Sequence, residues 1–316
     1  MGKKDIILKQ YFSDNKRFAE IFNHTLFSGQ EIIKPEKLKP VDSAQADVIA
    51  LRDTAAEFVQ KNRDIAKIYD DELELVILGV ENQNDVHYAM PMRVLLYDAL
   101  SYDKQYQSIR KEHHRSKDLK GAERLSGFSR EDKLVPVVTL VVYYGTEAWD
   151  GPRSMHDMLK LPKAFAEFPH LVGNYPMHLL EVRKIADVEV FNKDLMALFG
   201  FIKYQQNSRE LENFIQRHAD YFNSMARETY TAITHAADIK DIEKYIEKKK
   251  ETEAIDMCDA LKQMQEESLQ RGRREGAQQS LRQVAEKMLR MNHPIPLISE
   301  VTNLSEQEII EIKKKL

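Results

Sequence analysis

Apolar positions along the 316-residue chain follow first a helical period, then a period of two. In "DNKRFAEIFNHTLF", residues 14–27, Phe18, Ile21, Phe22, Thr25 and Leu26 recur at helical spacing; Asp14 or Ser13 is the expected cap and Gly29 the stop. Residues 64–69 alternate, with Asp64, Ala66 and Ile68 on one side and Ile65, Lys67 and Tyr69 on the other. "DDE" at 70–72 reads as a turn. From 73 to 83 the odd positions are Leu73, Leu75, Ile77, Gly79, Glu81 and Gln83, so a second strand ends with Glu81 and Gln83 on one face and Asn82 on the other.

A long helix follows over "YAMPMRVLLYDALSYDKQYQSIRKEHH", with Met92, Leu95, Leu96, Ala99, Leu100 and Tyr106 as its expected apolar stripe. "RSKDLKGAERLSGFSREDK" is polar and reads as a mobile connection. "LVPVVTLVVYYG", residues 134–145, is apolar almost throughout, as in a strand covered on both faces. Strand, helix and buried strand in that order predict a right-handed crossover. "YPMHLLEVRKI" supplies one more strand, and residues 190–270 are patterned as helices. A long polar helix from 255 is expected to break at Gly272 and Gly276. Two short helices close the chain, the last opened by Ser305 and Glu308 in capping-box order.

Composition narrows the class. With 31% charged and 42% hydrophobic residues and no run of about 18 apolar ones, a soluble, non-membrane protein is expected. The single Cys258 and the absence of a signal-peptide core at the start favour the cytoplasm. A net charge of -4 excludes a globally basic nucleic-acid binder, although a local basic surface suffices for phosphate contacts.

The strand ends carry the candidate chemistry. Asp64 and Glu81 converge at one sheet edge, and two carboxylates that close are costly unless a cation lies between them. Mg²⁺ or Mn²⁺ suits such a site, with the backbone carbonyl of Asn82 as a further ligand. Residues 110–124 hold Arg110, Lys111, Arg115, Lys117, Lys120 and Arg124 with acids interspersed. They read either as a solvated loop or as a phosphate-tracking surface.

"YFSDNKRFAEIFN", "NRDIAKIY", "GVENQ" and "MPMRVLLYDALSY", in this order over residues 11–144, resemble the recombination-promoting nuclease (Rpn), or YhgA-like transposase, group of the PD-(D/E)xK nuclease superfamily. The tail "MLRMNHPIPLISEVTNLSEQEIIEI" is similar to the closing helices of that group. The resemblance implies an α/β restriction-endonuclease-like core, a mixed sheet flanked by helices, followed by a mainly helical C-terminal region. It implies metal-dependent hydrolysis of DNA linked to recombination or mobile elements. Asp64 and Glu81 would hold Mg²⁺ or Mn²⁺, and Gln83 would stand where the superfamily has lysine and orient the water. Arg63 precedes Asp64, so the superfamily's proline is absent. Glu20 on the first helix is either a further ligand or a surface residue. Arg93 and Tyr97 resemble the phosphate-facing pair of exonuclease relatives, Tyr97 otherwise being core. Arg110, Lys111 and Arg115 complete the expected substrate-binding set.

The expected organisation is a nuclease-like core at 1–150, its completion with helices at 151–254, and a polar helix with a helical pair at 255–316. A degenerate nuclease fold kept as a DNA- or protein-binding module is the alternative, as is a homo-oligomer assembled through the C-terminal helices.

Overall fold

The computed structural model describes residues 3–41, 65–70, 72–80, 86–145, 147–165, 167–237 and 254–316. They fall into two units, one reaching residue 237 and taking in 254–255, the other spanning 256–316.

The first unit is built on a five-stranded mixed sheet, ordered β1 (Leu38–Pro40), β2 (Ile65–Tyr69), β3 (Leu73–Val80), β4 (Val137–Tyr143) and β5 (His178–Glu181). β1, β2 and β3 form an antiparallel meander, whereas β4 runs parallel to β3 and β5 parallel to β4. Asp70, in the left-handed region at φ 52°, turns β2 into β3. The predicted crossover between the parallel strands β3 and β4 is made through α3 (Met90–Ser116).

The buried face of α3 is not the one its leucines suggest. Met92 and Leu96 are 49% and 41% exposed, whereas Met90, Val94, Tyr97, Asp98 and Ser101 are buried. Two polar residues therefore sit in the helix–sheet seam, where each has a partner. Thr139 Oγ1 and Tyr175 Oη donate to Asp98, both at 2.5 Å, and Ser101 Oγ donates to Glu74 at 2.7 Å. A polar group can occupy a core position when its hydrogen bonds are made. Around this network Met90, Val94 and Tyr97 pack on Val137, Val141 and Tyr143. Burying each of these side chains contributes roughly 1.5–3 kcal/mol. β4 is covered on both faces, as its apolar run predicts; Leu140 and Val142 are fully buried.

The other sheet face meets the N-terminal helices, α1 (Lys3–Phe12) and α2 (Asn15–Leu26). Asp14 caps α2 by accepting from the N–H groups of Lys16 and Arg17, and the Gly29 N–H closes on the Asn23 carbonyl at φ +82°. Lys67, on the inward side of β2 with Ile65, passes over the Phe18 ring and donates to the Ser13 carbonyl and Asn15. Burial lowers its pKa. Arg17 bonds Asp194 of α5 (Lys193–Tyr204) at 3.1 Å and Glu228 of α7 (Arg227–Ala236) at 3.2 Å. Between them lies α6 (Ser208–Arg217).

In the second unit α8 (Met257–Arg290) runs without the interruption expected at Gly272 and Gly276. Glycine inside a helix costs about 1 kcal/mol relative to alanine, which lowers stability without enforcing a break. α9 (Ile295–Thr302) and α10 (Glu306–Lys315) fold back on it around Ala285, Leu289, Ile298, Leu304 and Ile309. The Ser305–Glu308 capping box forms in both directions.

Candidate functional site

The parallel strands finish in line. Val80 lies opposite Tyr143, and Tyr143 opposite Glu181, so β3, β4 and β5 end at one carboxyl edge. β2 is antiparallel to β3 and begins at the same edge, Ile65 pairing with Ile77. α3 starts there too. In open α/β sheets this edge is the usual place for a ligand crevice.

Asp64, Glu81, Asn82 and Gln83 lie outside the described residues. In the chain Asp64 directly precedes β2 and Glu81 directly follows β3. Among the described residues no group of three or more histidine, cysteine or acidic side chains is placed to hold a metal ion.

The described part of this edge holds both cations and acids, Arg93 and Arg183 beside Glu181 and Glu147. Arg93, in the first turn of α3, donates from Nη2 to the Tyr97 hydroxyl at 3.2 Å, so the pair four residues apart meets as its spacing predicts. Tyr97 is buried, and the Arg93 Nε is buried with no hydrogen-bond partner among the described residues. Just after β5, Arg183 buries Nε and Nη2 with no hydrogen-bond partner among the described residues; burial lowers its pKa, against the opposing effect of Tyr143 and Glu147 nearby. His87 buries Nδ1 with no hydrogen-bond partner among the described residues; burial and the neighbouring Arg93 charge lower its pKa and favour the neutral ring. A buried polar atom left without a hydrogen bond costs about 1–3 kcal/mol. Sequence reasoning missed Arg183 and His87, which sit in unremarkable contexts; the only available signal was the place of "EVRK" at the end of a strand.

The acid at the end of β5 is already engaged. Glu181 is largely buried, and burial opposes its charge, but Lys184, Arg153 and the Trp149 N–H outweigh this and hold its pKa low. Glu20 is engaged as well. Its carboxylate accepts from both the backbone and the side-chain amide of Asn192, the residue that caps α5. Burial raises the Glu20 pKa. Glu20→Ala should lower stability by about 1–3 kcal/mol through loss of these charge-assisted bonds, measured by urea denaturation.

The remaining substrate-binding residues lie at the opposite end of α3. Arg110 and Lys111 are 17 and 18 residues beyond Arg93, about 25–27 Å along the helix axis. With His114, Lys117 and Arg124 they line a cleft of about 580 Å³ beneath α4 (Gly121–Ser126); Arg115 is exposed and does not line it. The expected set therefore divides into two places. The polar segment after α3, expected to be mobile, is tied down by local bonds. The Tyr106 hydroxyl donates to the Ser126 carbonyl, and His113 bridges Asp118 (Nδ1, 2.9 Å) and Asp132 (Nε2, 2.9 Å).

A neutral imidazole has one N–H, so donating to both carboxylates requires the protonated ring. The His113 pKa is raised by its bonds to Asp118 and Asp132. The Asp118 pKa is depressed by the His113 bond, and that of Asp132 by the Ser129 N–H and then His113. The clasp should therefore be fully present from about pH 4 to 6.5, the ordinary values of aspartate and histidine. It is lost as pH rises through the elevated histidine value or falls through the depressed aspartate values. An NMR titration of His113 should show a midpoint above 6.5, with faster amide exchange in 117–132 on the alkaline side.

No helix among the described residues is long and apolar enough to cross a membrane. Compared with known families, residues 76–233 match the family described as putative transposase, YhgA-like. That span is half the chain and holds Glu81, Gln83, Arg93, Tyr97, Arg183 and the basic cleft; Asp64 and α2 precede it. None of the curated proteins and none of the solved structures matches the chain.

Proposed function

From its membership of the YhgA-like putative transposase family, we propose that this chain is a metal-dependent nuclease cutting DNA in transposition or recombination, with its centre at the carboxyl edge of β3 and β4. The observation that carries the reading is the set of buried guanidinium nitrogens on Arg93 and Arg183 at that edge that have no hydrogen-bond partner among the described residues. A phosphodiester offers the acceptors they lack, and guanidinium geometry suits phosphate oxygens.

The donor set, two carboxylates and a backbone carbonyl, is hard and anionic, as Mg²⁺ or Mn²⁺ requires. Asp64 and Glu81 are the proposed ligands, with the Asn82 carbonyl. When bound, the ion supplies polarisation of a phosphoryl oxygen and a lowered pKa for its water. Gln83 orients that water by hydrogen bonding. Arg93, steadied by the Tyr97 hydroxyl, holds the scissile phosphate, and Arg183 takes a neighbouring oxygen. Neutral His87 adds no competing positive charge. Because Glu74 faces α3 and β3 keeps its register to Val80, the proposal requires the chain to depart from strand alternation after Val80 so that both carboxylates reach one ion.

The test is incubation of the purified protein with supercoiled plasmid in Mg²⁺, Mn²⁺ or EDTA. Nicking or linearisation only with metal supports the reading. No cutting under any condition, with DNA binding indifferent to metal, would move the chain to a binding module on a nuclease-derived fold.

A further inference from the structure

The cleft at the far end of α3 has no role in the chemistry above. Arg110, Lys111, Lys117 and Arg124 gather around it with His114, and among the described residues none of the five makes an ion pair. Of the acids interspersed with them in sequence, Asp118, together with Asp132 beyond, holds His113, Glu123 accepts from the Arg130 N–H, and Glu112 is exposed and does not line the cleft. The Arg110 stem is pressed against Gly127, whose φ of +67° closes α4; a Cβ there would lie 2.5 Å from Arg110 Cγ. The contact with Gly127 thus sets the path of the Arg110 stem while its side chain stays exposed. Four permanent cations turned into one cleft repel each other, and an anion relieves that.

We propose that this cleft is a second nucleic-acid site, gripping backbone phosphates of the same molecule whose scissile bond lies at the carboxyl edge. This rests on the nuclease reading for the identity of the polyanion, though not for the cleft's ability to bind it. Lys111 lies five whole helical turns from Arg93, hence on the same side of α3 about 27 Å away. Duplex DNA rises about 3.4 Å per base pair. A substrate must therefore be about eight base pairs long to engage both places, which makes the preferred substrate a polynucleotide and not a nucleotide.

Binding of a fluorescein-labelled duplex of about 20 base pairs to the full chain in EDTA, by anisotropy across about 50–200 mM salt, tests this. Each phosphate contact contributes about 0.9 to the slope of log affinity against log salt. Lys111→Gln with Lys117→Gln should lower the slope by about 1.8, as should Arg110→Gln with Arg124→Gln. Lys313→Gln with Lys314→Gln, the same charge change in α10, should not. The gain in affinity on lengthening the duplex from about 6 to 20 base pairs should shrink in the first two variants. Wild-type slope and length dependence in both, with circular dichroism unchanged, would overturn the proposal. So would displacement of the duplex by inorganic phosphate beyond the effect of matched chloride, which would assign the cleft to a free small anion. Because no cleavage is involved, a wild type that cuts nothing yet loses affinity in these variants retains the cleft and loses the nuclease reading.

Discussion

Asp64→Ala and Glu81→Ala should each reduce metal-dependent plasmid cleavage by at least about 10³-fold while the protein stays folded. Removing one preorganised donor from a developing charge already costs about 10²–10³ in kcat, and a ligand holds the ion on which several such interactions depend. Glu81→Gln separates charge from shape: it keeps an oxygen donor, so partial rescue by raised Mn²⁺ is expected where Mg²⁺ fails. Arg183→Ala should weaken cutting by a smaller factor, and Arg183→Lys should not restore it, because a point charge cannot reproduce a planar fork. Cleavage that survives both carboxylate substitutions at the wild-type rate would place the active site elsewhere.

Asp98→Ala should be strongly destabilising, by about 3–5 kcal/mol in urea denaturation. Asp98 is 3% exposed, and its loss strands the Thr139 and Tyr175 hydroxyls in the seam between α3 and β4. Breaking a buried charged network from one side leaves the other side unsatisfied, which sets that magnitude. Burial raises the Tyr175 pKa, and the Asp98 carboxylate raises it further, so the phenol stays a donor throughout the physiological range. Thr139→Val, which removes only one donor, should cost about 1–2 kcal/mol. If Asp98→Ala costs less than Thr139→Val, the network does not hold the seam.

Much of the sheet was legible because its strands obey simple periods. β4 announced itself by an apolar run covered on both sides, and β2 by the alternation that puts Ile65 and Lys67 together. The orientation of α3 was not, because its core face carries Asp98 and Ser101, which hydropathy sends to solvent. Only the partners, Thr139, Tyr175 and Glu74, make that face a core, and they come from 27 to 77 residues away. β1 is three residues long and held by pairing with β2, too short for a pattern. At the candidate site, the spacing of Arg93 and Tyr97 was readable on one helix face, but Arg183 reaches the edge through the β4–β5 pairing, which no local pattern encodes. The basic run at 110–124 was visible as composition; what composition hides is which acids are spent on His113.

The Arg17 clasp also sets a timetable for synthesis. Its partners Asp194 and Glu228 follow it by 177 and 211 residues. At about 5–20 residues per second, a ribosome delivers them roughly 10–40 s after Arg17 itself. For that interval α2 has emerged while part of its destination does not yet exist, and the aromatic face of Phe18 and Phe22 has no finished layer to enter. α2 is thus made early relative to the partners that lock it, so nascent chains stalled before residue 194 should be far more protease-sensitive at 15–26 than chains that extend past residue 228.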